Sequence, residues 1–196
     1  MSGLNERIPP QNLEAEQSVL GSMLIDRDAI ITVAELLKPT DFYRDSHQKI
    51  YSAMLSLAER NEPVDLITLA EELTQKNQLE GIGGLPYLTT LANVVPTAAN
   101  VGYYAKIVQE KAVLRSMINA ATRIVSRCFE SNDPVEEIVD EAEKQIFEIS
   151  QRSTPQNFAS MKDLLKGAFD NIDKLWGNKG GVTGVPTGFH DLDNLT

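Results

Sequence analysis

The sequence predicts an all-α fold, made of a compact helical globule, a long antiparallel helical hairpin and a separate linker helix. Apolar residues recur at spacings of three and four, and strand-like alternation does not persist before the last dozen of the 196 residues. Proline and glycine divide residues 1–100 into short segments, whereas residues 101–129 contain no proline and a single glycine. The chain is long enough to bury a core without a disulfide or metal, and 42% of its residues are hydrophobic.

Residues 1–100 are predicted to form the globule. Each short segment carries its apolar residues near one face, and turns of a few residues connect the segments. Asp28 and Asp65 stand where they can cap helices, and the glycines at 81–84 end the fourth segment. The predicted helices cover residues 12–25, 28–37, 46–60, a segment that begins at Asp65, and 85–95.

Residues 101–150 are predicted to form the hairpin. Both arms carry apolar residues at alternating spacings of four and three. Between the arms, Asp133 is a good N-cap and Pro134 suits the first helical position. Matching rows and a short turn predict that the arms fold back on each other. The predicted seam and oligomer interface comprises Leu114, Ile118, Ala121, Val125, Val135, Val139, Ala142, Ile146 and Ile149.

The two arms differ in charge. Residues 101–129 hold five basic residues and one acidic residue, and residues 130–150 hold eight acidic residues and one basic residue. Exposed ion pairs contribute about 0.2–1 kcal/mol each, so the apolar seam has to supply most of the stability. The basic arm is also the candidate for nucleic-acid contact, although pairing with the acidic arm is favoured because no aromatic-lined basic groove accompanies it.

Residues 151–182 are predicted to be a linker that contains a helix over 160–176. An isolated helix of this length is marginally stable in water, so its broad apolar stripe needs a partner. We expect that partner to be another domain or another chain. The predicted docking residues are Met161, Leu164, Leu165, Ala168, Phe169, Ile172 and Trp176.

Composition and charge exclude several functional classes. The formal net charge of −10 argues against a basic nucleic-acid-binding surface on the chain as a whole. One cysteine cannot form an intrachain disulfide, which fits a reducing compartment. No signal-peptide-like segment and no apolar run of about 18 residues occurs, so the sequence predicts a cytoplasmic protein without a membrane partner.

No catalytic, cofactor-binding or metal-binding constellation is predicted. The chain lacks a phosphate-binding G-x-x-x-x-G-K-[ST] motif, and its two histidines, His47 and His190, are far apart. His47 is predicted to lie at the surface or at the edge of the core. Cys128 is predicted to be a small buried apolar residue of the seam, and Glu71 and Glu72 to form a solvated helix face.

Four stretches of sequence resemble DnaB-type bacterial replicative helicases. Residues 8–21 read IPPQNLEAEQSVLG, residues 83–88 read GGLPYL, and residues 96–108 read PTAANVGYYAKIV. Residues 184–196 read GVPTGFHDLDNLT, which resembles the start of the RecA-like ATPase core of that family. The stretches occur in the family's order and span essentially the whole chain.

The resemblance implies a role in a ring-shaped assembly. In the family, N-terminal domains pair through their hairpins and form a collar on a hexamer, which receives the C-terminal domain of primase. The linker helix docks on the ATPase domain of the adjacent subunit, a role that residues 160–176 fit. Helicase loaders and phage-encoded factors use the same regions.

The resemblance also implies that residues 183–196 are a truncated start of the ATPase domain. The chain itself is therefore not expected to hydrolyse ATP, whereas the parent protein would be an ATP- and magnesium-dependent helicase that contacts DNA mainly through its ATPase domain. A free-standing regulator or loader that mimics the collar is the alternative. Such a mimic would have no reason to keep residues 184–196. An enzyme with an unrecognised active site is a third hypothesis.

Overall fold

The computed structural model describes residues 8–130 and 134–153, which belong to one compact unit. The predicted linker helix 160–176 and the stretch 183–196 lie outside these residues. Within the described ranges the chain forms α-helices and two short 3-10 turns, with no strand, which confirms the predicted all-α class. The helices are α1 Leu13–Ile25, α2 Arg27–Leu36, α3 Asp45–Glu59, α4 Leu66–Gln75, α5 Gly84–Ala92, α6 Val101–Glu130 and α7 Val135–Ser153.

Side-chain caps fix where α1, α2 and α4 begin. Asn12 accepts a hydrogen bond from the Ala15 N–H at 3.0 Å and starts α1. Asp65 caps α4 as predicted, accepting from the Thr68 N–H at 2.9 Å while the Thr68 hydroxyl accepts from the Asp65 N–H. Asp26, rather than the predicted Asp28, caps α2, so that helix begins at Arg27. These side-chain hydrogen bonds determine where the helices begin, and the observed starts lie within one or two residues of the predicted ones.

Several predicted helix ends differ from the observed ones, and α5 ends at Ala92 rather than at residue 95. The fourth helix ends at Gln75, well before the glycines, because Asn77 adopts a left-handed conformation with φ of 54° that turns the chain. A 3-10 turn over Glu80–Ile82 then leads to Gly83, whose φ of 105° favours glycine. At the other end, α7 continues to Ser153, so the first three residues of the predicted linker are helical.

The core of the globule lies between α1 and the helices around it. The first half of α6 packs on α1 and α2, α5 packs on α1, and α3 packs on α4. Tyr51 is fully buried and its hydroxyl donates to the Leu37 carbonyl at 3.0 Å, which satisfies its polar group. Complete burial of one large apolar side chain contributes roughly 1.5–3 kcal/mol before entropy is counted. Fully buried large residues include Leu20, Met23, Phe42, Ile50, Met54, Leu57, Leu69, Leu73, Leu88 and Leu91.

Glu72 is a buried carboxylate between α3 and α4. The prediction of a solvated face for Glu71 and Glu72 is therefore wrong for Glu72, although Glu71 is exposed. The Glu72 carboxylate accepts hydrogen bonds from Arg60 at 2.6 Å and from Lys76 at 2.8 Å. These hydrogen bonds, above all the one from Arg60, hold the pKa of Glu72 below its ordinary value. Two cations thus offset the cost of burying the charge.

Replacing Gly21 should destabilise the globule. A Cβ at this position would lie 2.5 Å from the Leu91 carbonyl oxygen, because α1 and α5 approach closely there. We expect Gly21→Ala to lower the free energy of unfolding by about 1–3 kcal/mol, measured by urea denaturation. Gly102→Ala, where a Cβ meets nothing within 4 Å, is the matched control and should leave stability unchanged or slightly higher. Equal losses in both variants would contradict the close-packing argument.

Removing the Glu72 charge should alter the acid dependence of stability. Because the pKa of Glu72 is lowered in the folded chain, its stabilisation is present above the unfolded pKa and is lost as the pH falls through the folded value. We expect Glu72→Gln to lower the melting temperature by about 2–4 °C at neutral pH, with a difference that shrinks in acid. Glu71→Gln, on the exposed neighbouring position, should change little. A Glu72→Gln deficit of the same size in acid would count against this role.

Candidate interaction surfaces of the hairpin

Helices α6 and α7 form an antiparallel hairpin whose base lies in the globule. The first half of α6 buries Val101, Ala105, Val108 and Ala112, whereas in its second half Ala120 is the only fully buried residue among those described. Helix α7 packs along α6, which is its main neighbour in the described residues. One helix therefore serves both as a core element and as an arm of the hairpin.

A narrow row of side chains packs between the two arms. On α6 the row includes Ala120, which is fully buried, and Ile124, which is partly buried. Arg127 and Glu141 join the arms through an ion pair of 2.9 Å, in line with the predicted charge complementarity. On α7 the partly buried residues recur at spacings of four, three and four, and are Ile138, Ala142, Gln145 and Ile149.

Most of the predicted seam lies beside this row and is open to solvent. Ala142 and Ile149 are partly buried, but the other seven residues are exposed, with Val125 at 54% and Ile146 at 46%. Successive residues on a helix are rotated by about 100°, so the exposed positions on each arm lie beside the packed row. On both arms they lie on the same side of the hairpin. We call this surface the open face; it comprises Leu114, Ile118, Ala121, Val125, Val135, Val139 and Ile146.

The open face has the character of an interaction surface. Contiguous exposed apolar residues are uncommon on soluble monomers and mark sites where another surface packs. The spacing of four and three is common to the packed row and to the open face, because adjacent rows on a helix share one period. The assignment of these residues to an interface between chains stays a prediction.

Cys128 is exposed, so the prediction of a buried cysteine is wrong. It lies at the free end of α6 on the side of the open face, away from the row that contacts α7. Phe129, next to it, is 86% exposed. The C-terminal end of α6 therefore presents both a thiol and an aromatic ring to solvent.

His47 is fully buried, which contradicts its predicted place at the surface or the edge of the core. Its Nδ1 lies 2.6 Å from a carboxylate oxygen of Glu16, and its Nε2 lies 2.6 Å from the Tyr87 hydroxyl. Glu16, itself buried, also accepts from the Tyr43 N–H at 2.7 Å. The ring of His47, the carboxylate of Glu16 and the hydroxyl of Tyr87 therefore each take part in this chain of hydrogen bonds. Burial is tolerated because both ring nitrogens have partners.

This network has no signal in the local sequence. Glu16 and Tyr87 stand 31 and 40 residues from His47, on other helices, and spacing arguments do not reach that far. Within residues 8–130 and 134–153, no group of three or more His, Cys, Asp or Glu side chains is arranged to hold a metal ion. The helices in the same ranges include none long and apolar enough to cross a membrane.

Comparison with known proteins gives one consistent family. The model of the DnaB-like helicase N-terminal domain matches residues 8–110. The replicative DNA helicase DnaC of Bacillus subtilis (strain 168) is 52% identical over 193 residues, which cover 98% of this chain. The replicative DNA helicase DnaB of Geobacillus stearothermophilus is 50% identical over 192 residues. The chain spans 42% of the length of each of these two relatives.

Two solved structures share the fold. The N-terminal domain of DnaB helicase from Mycobacterium tuberculosis matches with a TM-score of 0.69 and 52% identity, covering 72% of this chain and 99% of that one. A DnaB-like replicative helicase, described with its interactions with primase, matches with a TM-score of 0.63 and 29% identity, covering 93% of this chain and 41% of that one. The chain belongs to the family of DnaB-like helicase N-terminal domains.

Proposed function

We propose that this chain is the collar module of a replicative DNA helicase, which assembles subunits and docks partner proteins while the parent enzyme unwinds DNA at the expense of ATP. The observation that carries the proposal is the open face: an apolar surface on both arms of a hairpin whose base is anchored in the globule. Family membership supports the proposal, since relatives of about 50% identity are named replicative helicases.

Self-association is the first proposed role of the open face. Pairing about a two-fold axis brings the same patch of two chains together, so an apolar face can cover its own copy. The opposite charges of the arms favour some orientations over others, because α7 is acidic and α6 is basic. Such dimers would then build a hexameric ring, as in the assemblies that the sequence resemblance implies.

Docking of other replication proteins is the second proposed role. One structural relative is described together with its interactions with primase, and we propose that the primase C-terminal domain also binds this chain. A helicase loader or a phage-encoded factor is a further proposed partner of the same collar.

The chemistry of the parent enzyme is assigned to a downstream domain. This sequence has no phosphate-binding motif with its lysine, so we propose that ATP, magnesium and most DNA contacts belong to a RecA-like ATPase domain. The net charge of −10 agrees with phosphate contacts lying elsewhere. Docking of the helix over residues 160–176 on a neighbouring ATPase domain remains part of this proposal.

A charge placed on the open face should weaken self-association. Ile146→Asp would bury an unpaired carboxylate in the proposed interface, and we expect the dissociation constant of the chain to rise about tenfold or more. Because Ile146 is 46% exposed, the substitution should change the helicity and the melting temperature of the unassembled chain only slightly. Sedimentation equilibrium gives the dissociation constant, and circular dichroism gives the helicity.

The matched control places the same charge elsewhere on α7. Gln151→Asp lies on the side of the helix opposite the open face and should leave association unchanged. A wild-type chain that remains monomeric at high micromolar concentration would contradict the collar proposal. So would equal weakening by both variants.

Primase binding provides a separate test. We expect the purified primase C-terminal domain to bind the 196-residue chain saturably, as measured by fluorescence anisotropy. A basic protein unrelated to replication serves as the control, because a chain of net charge −10 attracts cations without specificity. Equal affinity for both proteins, or no binding to primase by an associated chain, would refute partner docking.

A further inference from the structure

We propose that Arg115 is the positioning residue that sets the direction in which the hairpin leaves the globule. The inference rests on the proposed function, because the direction of the hairpin decides where the open face lies for assembly. Arg115 stands on α6 between Ala112, the last buried residue of its globule-facing row, and Ala120, the first residue buried against α7. It therefore marks the point where the helix passes from core to hairpin.

The Arg115 guanidinium bridges two distant segments of backbone. One terminal nitrogen, Nη1, donates to the Pro10 carbonyl at 2.7 Å, and the other, Nη2, donates to the Asp41 carbonyl. Pro10 lies in the segment before α1, and Asp41 lies in the 3-10 turn between α2 and α3. The same group also lies 5.8 Å from the centroid of the Tyr43 ring. Three contacts from one side chain thus fix α6 against two parts of the globule.

The surroundings of Arg115 favour a side chain that keeps its positive charge when partly buried. Burial lowers the pKa of Arg115, and the charges of Glu16 and Asp41 oppose that change. A guanidinium remains protonated under these conditions and offers a planar fork that reaches two carbonyl oxygens at once. Lysine presents a compact ammonium on a flexible stem and cannot reproduce this two-sided bridge. The geometry calls for arginine rather than for positive charge alone.

A small rotation of α6 at Arg115 produces a large displacement at the far end of the hairpin, so this position matters for assembly. The part of α6 beyond Arg115 covers residues 116–130 and is about 22 Å long at 1.5 Å per residue. A rotation of about 10° at Arg115 would move the far end by about 4 Å, which is close to half the usual distance of 8–10 Å between packed helices. An interface made of interdigitating side chains does not survive such a shift, so the anchor at the base controls the surface near the tip.

The test measures the direction of the hairpin separately from association. Spin labels are attached to the native exposed Cys128 near the C-terminal end of α6 and to Thr89→Cys, an exposed site on α5 of the globule. Labelled chain is diluted with unlabelled chain of the same sequence, so that distances within one chain are measured by double electron–electron resonance. We compare the wild type with Arg115→Met and Arg115→Lys, and use Arg123→Met on the exposed side of α6 as the matched control.

We expect Arg115→Met to widen the distance distribution roughly twofold, Arg115→Lys to widen it less, and Arg123→Met to leave it unchanged. Unassembled Arg115→Met should retain wild-type helicity, and its dissociation constant should rise about tenfold. An unchanged width in a folded Arg115→Met chain would overturn the proposal, as would equal widening by Arg123→Met. If Arg115→Met does not fold, Arg115→Lys decides: a wider distribution with native helicity supports the proposal, and a wild-type width overturns it.

The two proposals fail in different ways. A monomeric wild-type chain refutes the proposed function but leaves the width comparison fully informative about Arg115. A wild-type chain that associates, together with an Arg115→Met chain that associates equally well at unchanged width, refutes the positioning role alone.

Discussion

The continuity of α6 is the constraint on which the rest of the structure depends. A single helix over Val101–Glu130 is about 45 Å long, more than the globule can enclose. Its first half lies against α1 and α2, and its second half has only α7 to shield it among the helices described. The hairpin is therefore an extension of a core element rather than an appendage on a loop, and its base inherits the order of the core.

Incomplete burial of the hairpin follows from this arrangement. Two helices can cover each other along one row each, here the row of Ala120 and Ile124 on α6 and the row of Ile138 and Ile149 on α7. The second arm carries a wider apolar surface than one neighbour can cover, and none of its side chains over residues 135–151 is fully buried. The apolar residues left over form the open face, and they carry the proposal of assembly. Within the globule, by contrast, the buried side chains of Glu16 and His47 have hydrogen-bond partners in each other and in the Tyr87 hydroxyl.

Local signals in the sequence predicted the fold well, and the long-range contacts lay beyond them. Caps such as Asn12 and Asp65 act within three residues, and the three-to-four period reveals helices from one segment at a time. Adjacent rows on a helix share that period, so it did not separate the row packed between the arms from the open face. The partners of Arg115, 74 and 105 residues away, depend on the tertiary fold. The same holds for His47 and for Glu72, whose burial no local pattern indicates.

Because α6 belongs both to the core and to the hairpin, the free energy of folding is coupled to the free energy of assembly. Anything that binds the folded chain through the open face also withdraws it from the unfolded population, by mass action. The melting temperature of such a chain rises with its own concentration. Under the proposed function, subunits assembled in a ring would accordingly be more resistant to local opening and proteolysis than the same subunits in monomeric form.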